Sequence, residues 1–146
     1  MYREVMGDIF RMSTESIAHC ITADYSLGAG LAKELDLRYD LKAKLMNIGT
    51  GKCPDCISIQ EKDLTIFNLV TKQTRWDKPT YADLEETLIA MKQEMISKGI
   101  KTVYVPQLGC GKDRLNWDTV KSILKKLFGK DKDVDVCVFF YIPPRT

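Results

Sequence analysis

The 146-residue sequence holds a single His, five Pro and two Trp, and its 22 Lys plus Arg barely exceed its 20 Asp plus Glu. Each scarcity excludes something. One His cannot build a His-rich metal site, and five cysteines, an odd number scattered along the chain, imply no disulfide framework. A formal net charge of +2 gives no broad electrostatic footprint for duplex nucleic acid. No apolar run approaches the roughly 18–20 residues that span a bilayer. The opening Met1-Tyr2-Arg3-Glu4-Val5 lacks the unbroken apolar stretch of a secretory signal. Repeats, low-complexity tracts and a Pro/Gly/Ser-rich linker are missing too, so one domain over residues 1–146 is expected. What remains is 45% apolar and 29% charged residues, which supports a sizeable core and argues against disorder. The expectation is a soluble monomer of the cytoplasm, and also of the nucleus if the source is eukaryotic.

Strand and helix patterns alternate. Ser16 to Ile21 reads as a strand, and Leu31 to Met46, with Leu31, Leu35, Leu41 and Leu45, as one or two short helices. Cys56–Ile59 and Leu64–Val70 read as a hairpin about the charged turn Glu61-Lys62-Asp63. The plainest element is a helix from Tyr81 to about Lys98. Thr80 can cap its first turn with Asp83 three residues on, Tyr81, Leu84, Leu88, Met91 and Met95 share one face, and Gly99 ends it. Thr102–Val105 follows as a strand. Asn116 is placed to cap a second amphipathic helix that Gly129 terminates, with Lys125 and Lys126 suiting the negative end of its dipole. Val134–Tyr141 closes the chain as a strand before Pro143-Pro144. The pattern implies an α/β fold of three layers, α/β/α, with a mixed central sheet.

Two glycine loops lie between a strand and the next helix: Leu27-Gly28-Ala29-Gly30-Leu31-Ala32 and Gln107-Leu108-Gly109-Cys110-Gly111-Lys112-Asp113. Glycine lets backbone amides approach a ligand, helix starts present unpaired N–H groups to anions, and such loops sit at the carboxyl ends of strands, where ligands bind. Two of them could hold a diphosphate from both sides; an ordinary tight turn is the competing reading of either alone. Neither is a dinucleotide or P-loop fingerprint: the first lacks the third glycine, and Gly51-Lys52 is followed by Cys53 with no glycine five positions before it. Lys78, before Pro79, reads by itself as a solvated surface charge, and Asp113 as a turn residue or a partner for Arg114. His19, on an apolar strand, reads as packed and hydrogen-bonded. Cys53-Pro54-Asp55-Cys56 is one CxxC without a second pair, and it precedes a strand, so neither a structural zinc site nor a thioredoxin-like pair is implied. Trp76, among Lys72, Arg75 and Lys78, could stack on a base or serve as a rim aromatic.

Taken together, five segments in series resemble a macrodomain of the terminal ADP-ribose protein glycohydrolase branch: Gly7-Asp8-Ile9-Phe10, Ala18-His19-Cys20-Ile21-Thr22, Leu27 to Ala32, Lys78-Pro79-Thr80-Tyr81, and Gly109 to Trp117. They span nearly the whole chain. The Asn-Ala-Ala-Asn element and four-glycine run of MacroD-type enzymes are missing, so the substrate-assisted water mechanism of those enzymes is not carried over. The resemblance implies a cleft for ADP-ribose. Asp8 would accept from the adenine amino group and Ile9 would line the adenine pocket. Thr22 and the Gly28–Gly30 loop would face the distal ribose and diphosphate. Gln107, Leu108, Gly109, Cys110 and Gly111 would wrap the diphosphate from the other side, and Tyr141 would pack on adenine or ribose.

By the same resemblance Lys78 matches the catalytic lysine and Asp113 the catalytic aspartate, with no cofactor and no metal. An ADP-ribosyl ester joins a Glu or Asp carboxylate to the distal ribose. A neutral amine attacking the anomeric carbon would release that carboxylate through a Schiff-base type adduct, while the aspartate accepts the proton and later activates water. A free lysine amine is almost wholly protonated at pH 7, so desolvation or nearby cations would have to favour the neutral form; Lys72, Arg75 and Lys112 are candidates for that field. The expected partners are ADP-ribose and ADP-ribosylated proteins, with removal of mono-ADP-ribose from Glu/Asp side chains and deacylation of O-acetyl-ADP-ribose as activities. Two other functions stay open: a reader that binds ADP-ribose without turnover, and a hydrolase acting on ADP-ribosylated nucleic acid bases.

Overall fold

A computed structural model describes residues 1–140. Six strands, β1 (Tyr2–Met6), β2 (Ser16–Thr22), β3 (Asp55–Glu61), β4 (Leu64–Lys72), β5 (Thr102–Val105) and β6 (Asp135–Phe140), form one sheet in the order β1-β6-β5-β2-β4-β3. Pairing is parallel throughout except at the edge, where β3 runs antiparallel to β4. That hairpin makes the sheet mixed, as expected from the charged turn at residues 61–63. The helices are α1 (Ile9–Met12), α2 (Gly30–Tyr39), α3 (Leu41–Ile48), α4 (Tyr81–Lys98) and α5 (Trp117–Phe128). Among the described residues no helix is long and apolar enough to cross a membrane.

The strands sort their side chains by alternation. In β2, Ala18 and Cys20 face the core shared with Leu84, Leu88, Met91 and Met95 of α4 and Val120, Leu124 and Phe128 of α5. Ile17 and Ile21 face the opposite core, with Leu35 of α2 and Leu41 and Leu45 of α3. β4 repeats the pattern, Phe67 and Leu69 to one side, Ile66 and Val70 to the other. Both central strands are therefore buried on both faces, the requirement of a parallel sheet covered by two helical layers.

Local chemistry sets the helix ends. Thr80 Oγ1 accepts from the Asp83 amide at 3.0 Å, and Gly99 closes α4 in the left-handed region at φ 70°. Asn116 Oδ1 accepts from the Thr119 amide and opens α5. Gly129 ends α5 as expected, though in the right-handed helical region, with its N–H on the Lys125 carbonyl, rather than in a left-handed cap. The segment from Leu31 to Met46 resolves into two helices because Asp40 adopts φ 52° between α2 and α3. β1 and α1 are elements the sequence pattern did not show. β1 is an edge strand of five residues in which Arg3 and Glu4 face solvent, and α1 has only four residues. The closing strand is described from Asp135 to Phe140, and Tyr141 lies outside the described residues.

Candidate functional site: a cationic cleft at the carboxyl ends of the parallel strands

Three loops converge beyond the carboxyl ends of β2, β4 and β5, where the chain leaves β2 and returns on either side of it. They enclose a cavity of about 740 Å³ lined by residues 20–22, 26–29, 71–72, 75–78 and 112–114. A second cavity of about 370 Å³ adjoins it and shares Cys20, Ala29, Ala32, Lys112 and Asp113; its remaining wall comes from His19, Gly30, Leu31, the run from Pro106 to Gly109, and Gly111. Together they form one elongated cleft.

The first loop follows β2. A register shift at Ile21/Thr22 sets Thr22 opposite Lys72. The Thr22 hydroxyl is held by Asp24 at 2.5 Å and by Ser26 at 3.0 Å. Ala23, Tyr25 and Leu27 are buried in the core on the α2 side, which anchors the loop although Tyr25 and Leu27 sit at φ 55° and 41°. Gly51 backs it closely: a Cβ there would collide with the Ala23 carbonyl oxygen. α2 then begins with no side-chain cap on Ala29, so its first amides are free toward the cleft, the arrangement that attracts anionic groups.

The second loop follows β5. Leu108 and Leu115 are buried, and turns from the Cys110 amide to the Gln107 carbonyl and from the Leu115 amide to the Gly109 carbonyl fix it. Gly109 lies at φ 71°, where a Cβ would meet Leu115 Cδ1 at 2.6 Å, so glycine is required there. Gln107, Leu108, Gly109 and Gly111 line the smaller cavity. Cys110 lines neither: it packs against the core, with its Sγ on the Leu108 carbonyl.

The third loop joins β4 to α4, and here the structure changes the expected pairing. Asp113 Oδ1 receives Lys72 Nζ at 2.5 Å. Both side chains are largely withdrawn from solvent, at 12% and 18% exposure. Lys72 Nζ also reaches the Arg75 carbonyl at 3.4 Å. Lys78 lines the same cavity but is exposed on its rim, and among the described residues it has no carboxylate partner within ion-pair distance. The lysine that meets Asp113 is thus the last residue of β4, not the one before Pro79. The physical reason is the sheet: β4 delivers Lys72 to the cleft floor beside β2, whereas Lys78 has left the strand by six positions.

In the sequence alone Lys72 carries no role beyond a source of positive field. The available signal was its place at the end of a nine-residue strand whose preceding seven residues are all buried. Five cationic side chains, Lys72, Arg75, Lys78, Lys112 and Arg114, line the larger cavity against two carboxylates, Asp77 and Asp113. The wall is therefore cationic although the whole chain is nearly neutral.

Asp8 and Ile9 line neither cavity. The Asp8 carboxylate accepts from the Phe10 amide at 2.9 Å and caps α1, while Ile9 borders a separate cavity between α1, the start of β2 and the β3–β4 turn. His19 is packed and hydrogen-bonded. Asn68 donates to the Ile57 and Ile66 carbonyls, which turns its Oδ1 to His19 Nε2 at 2.6 Å and fixes the proton on that nitrogen. Burial pushes the imidazole down to about 4, so it is neutral through the physiological range. Burial, and then the nearby Asp113 charge, push the Cys20 thiol up to about 12. Cys53 and Cys56 point at Asp83 and Glu94 of α4. Among the described residues no group of three or more His, Cys, Asp or Glu could hold a metal ion.

No protein-family model matches the chain. Individual proteins do. The chain is 32% identical over 136 residues to the human ADP-ribose glycohydrolase OARD1, covering 92% of this chain and 88% of that protein. It is 27% identical over 142 residues to a DNA ADP-ribosyl glycohydrolase of Mycobacterium tuberculosis, of which it spans 40%. In structure it superposes on the macrodomain of Mycobacterium tuberculosis DarG with a TM-score of 0.84 at 25% identity, over 99% of both chains. A Thermosipho africanus DarTG in complex with ADP-ribose shares the fold at a TM-score of 0.82 and 17% identity, over 99% of this chain and 43% of that one.

The three-layer fold is that of a macrodomain. Within that class, the chain belongs to the ADP-ribose glycohydrolase family, in the terminal ADP-ribose protein glycohydrolase branch.

Proposed function

We propose that the chain hydrolyses the bond between the anomeric carbon of a terminal ADP-ribose and the group that carries it, with Lys72 as the attacking amine and Asp113 as its base. The observation that carries this reading is the 2.5 Å contact between Lys72 Nζ and Asp113 Oδ1 on the floor of a cationic cleft. A contact that short lets the proton pass from nitrogen to carboxylate without an intervening water. The freed amine attacks the anomeric carbon, and the bond to the acceptor oxygen breaks with its electron pair leaving on the acceptor. Opening of the ribose ring gives a Schiff base. Water, activated by Asp113, then adds to that carbon and releases the lysine, so the net change is addition of one water across the scissile bond.

The free amides of α2 and the loop from Gln107 to Gly111 bind the diphosphate, with Lys112 and Arg114 adding charge. An ester of Glu or Asp is the linkage this pair breaks with least assistance, because a carboxylate leaves without being protonated. Removal of mono-ADP-ribose from acidic side chains is therefore the first activity proposed, with deacylation of O-acetyl-ADP-ribose beside it. A second reading, ADP-ribose carried on a nucleic acid base, is favoured by the exposed Arg75–Trp76 rim and by the likeness to a DNA ADP-ribosyl glycohydrolase. The test is release of ADP-ribose from a Glu-linked mono-ADP-ribosylated peptide. Wild type releases it; Lys72→Ala does not, while still binding free ADP-ribose. Binding by wild type with no release from any substrate would make the protein a reader and end the hydrolase reading.

A further inference from the structure

Trp76 is the most exposed of the large apolar side chains among the described residues, at 81%, and it stands at the mouth of the larger cavity. Indole surface of this size left facing water carries a hydration cost. The turn that carries it is fixed. The Thr74 amide and hydroxyl both donate to Asp77 Oδ2 at 3.0 Å, the Asp77 amide returns to the Thr74 carbonyl, and the Trp76 amide donates to Thr74 Oγ1. Lys72 ties the same turn to the cleft floor through the Arg75 carbonyl. The Arg75 guanidinium lies over the indole, 4.4 Å from the ring centroid, so one face is covered by a cation and the other is open. Around it the exposed cations Arg75, Lys78, Lys112 and Arg114 line the same mouth.

We propose that Arg75 and Trp76 form the acceptor-side subsite of the cleft, a stacking platform for a nucleobase of a single strand that carries the ADP-ribose. The inference rests on the reading of the site as an ADP-ribosyl glycohydrolase, not on any one acceptor. An open aromatic face combined with a ring of cations is the arrangement that holds single strands: the base stacks, and the phosphates on either side meet charge. An acidic peptide would use the cations but not the indole. A duplex is disfavoured because its bases are already stacked and the cationic surface is confined to the cleft mouth. The fixed turn means that little loop ordering opposes binding.

The experiment uses the full chain and two substrates in parallel: a single-stranded 12-mer DNA mono-ADP-ribosylated on one base, and a Glu-linked mono-ADP-ribosylated peptide. Trp76→Ala is expected to lower kcat/KM on the oligonucleotide relative to the peptide by about 5- to 150-fold, the span of one stacked base. Trp76→Phe should restore most of that ratio, since a smaller ring still stacks. In a separate titration, unmodified single-stranded 12-mer should quench the indole fluorescence of the wild type but not of Trp76→Phe, which retains Trp117. An unchanged substrate ratio in Trp76→Ala, turnover of the peptide alone by wild type, or absence of quenching each overturns the subsite. Failure of wild type on both substrates overturns the glycohydrolase reading instead, and the fluorescence titration still decides the platform.

Discussion

The chain offers two lysines within six positions, and their surroundings differ in nearly every respect. Lys72 ends a strand buried on both faces, is 12% exposed and touches Asp113. Lys78 sits in the following loop, exposed, with its backbone restricted by Pro79. Both line one cavity, so proximity to the ligand does not separate them. What separates them is the degree to which the fold has fixed and desolvated the amine. A nucleophile delivered by a strand end is positioned by the ladder behind it, and a rim lysine must give up side-chain freedom each time it reaches inward.

The largest effect should come from exchanging their fates. Lys72→Ala is expected to lower kcat for release of ADP-ribose by about 10³-fold or more, while Lys78→Ala costs only about a few-fold and acts through KM. Single-turnover kinetics on the two variants checks this, and the opposite ranking would return the chemistry to the rim lysine. Asp113→Asn keeps the shape of the floor but removes the proton acceptor, so kcat should drop by about 10²–10⁴-fold with ADP-ribose affinity retained in calorimetry.

The comparison extends to the buried polar residue beneath the cleft. His19 is held neutral, with its value depressed from 6.5 to about 4. Its contribution is therefore fully present above pH 6.5 and is lost as the pH falls toward 4, amounting to about 3 kcal/mol. Urea unfolding between pH 7 and pH 4 should show that loss, and His19→Gln should flatten it. The smallest effect lies at the start of α4, just past Lys78. Thr80→Ala removes the bond to the Asp83 amide and should cost about 1 kcal/mol, lowering Tm by roughly 2–4 °C without altering the Lys72–Asp113 pair.

How much could be read in advance follows the range of the interactions. The helix from Tyr81 to Lys98 was legible because its cap, apolar stripe and closing glycine all lie within twenty residues. The β3–β4 hairpin was legible for the same reason. β1 was not: its pairing with β6 joins the two ends of the chain, and five residues broken by Arg3 and Glu4 carry no periodic signal. Within the site, Gly109 announced a tight loop, whereas Asp113 reads by itself as a turn residue or a partner for Arg114 and enters the site only through the resemblance. Its lysine partner could not be read either: Lys72, Lys78 and Lys112 carry the same amine until the strands are placed, and the resemblance pointed to Lys78.

The amino-acid order alone determined the alternation of strands and helices, the two glycine loops and the three-layer architecture, because these follow from local propensity and from which faces must be buried. Tertiary structure alone decided which amine meets the carboxylate. Lys72 ends β4 where one loop begins, Asp113 lies 41 positions on in the loop after β5, and the two loops flank β2. Only the strand order β5-β2-β4 brings those loops over one floor, and only burial there withdraws the pair from water.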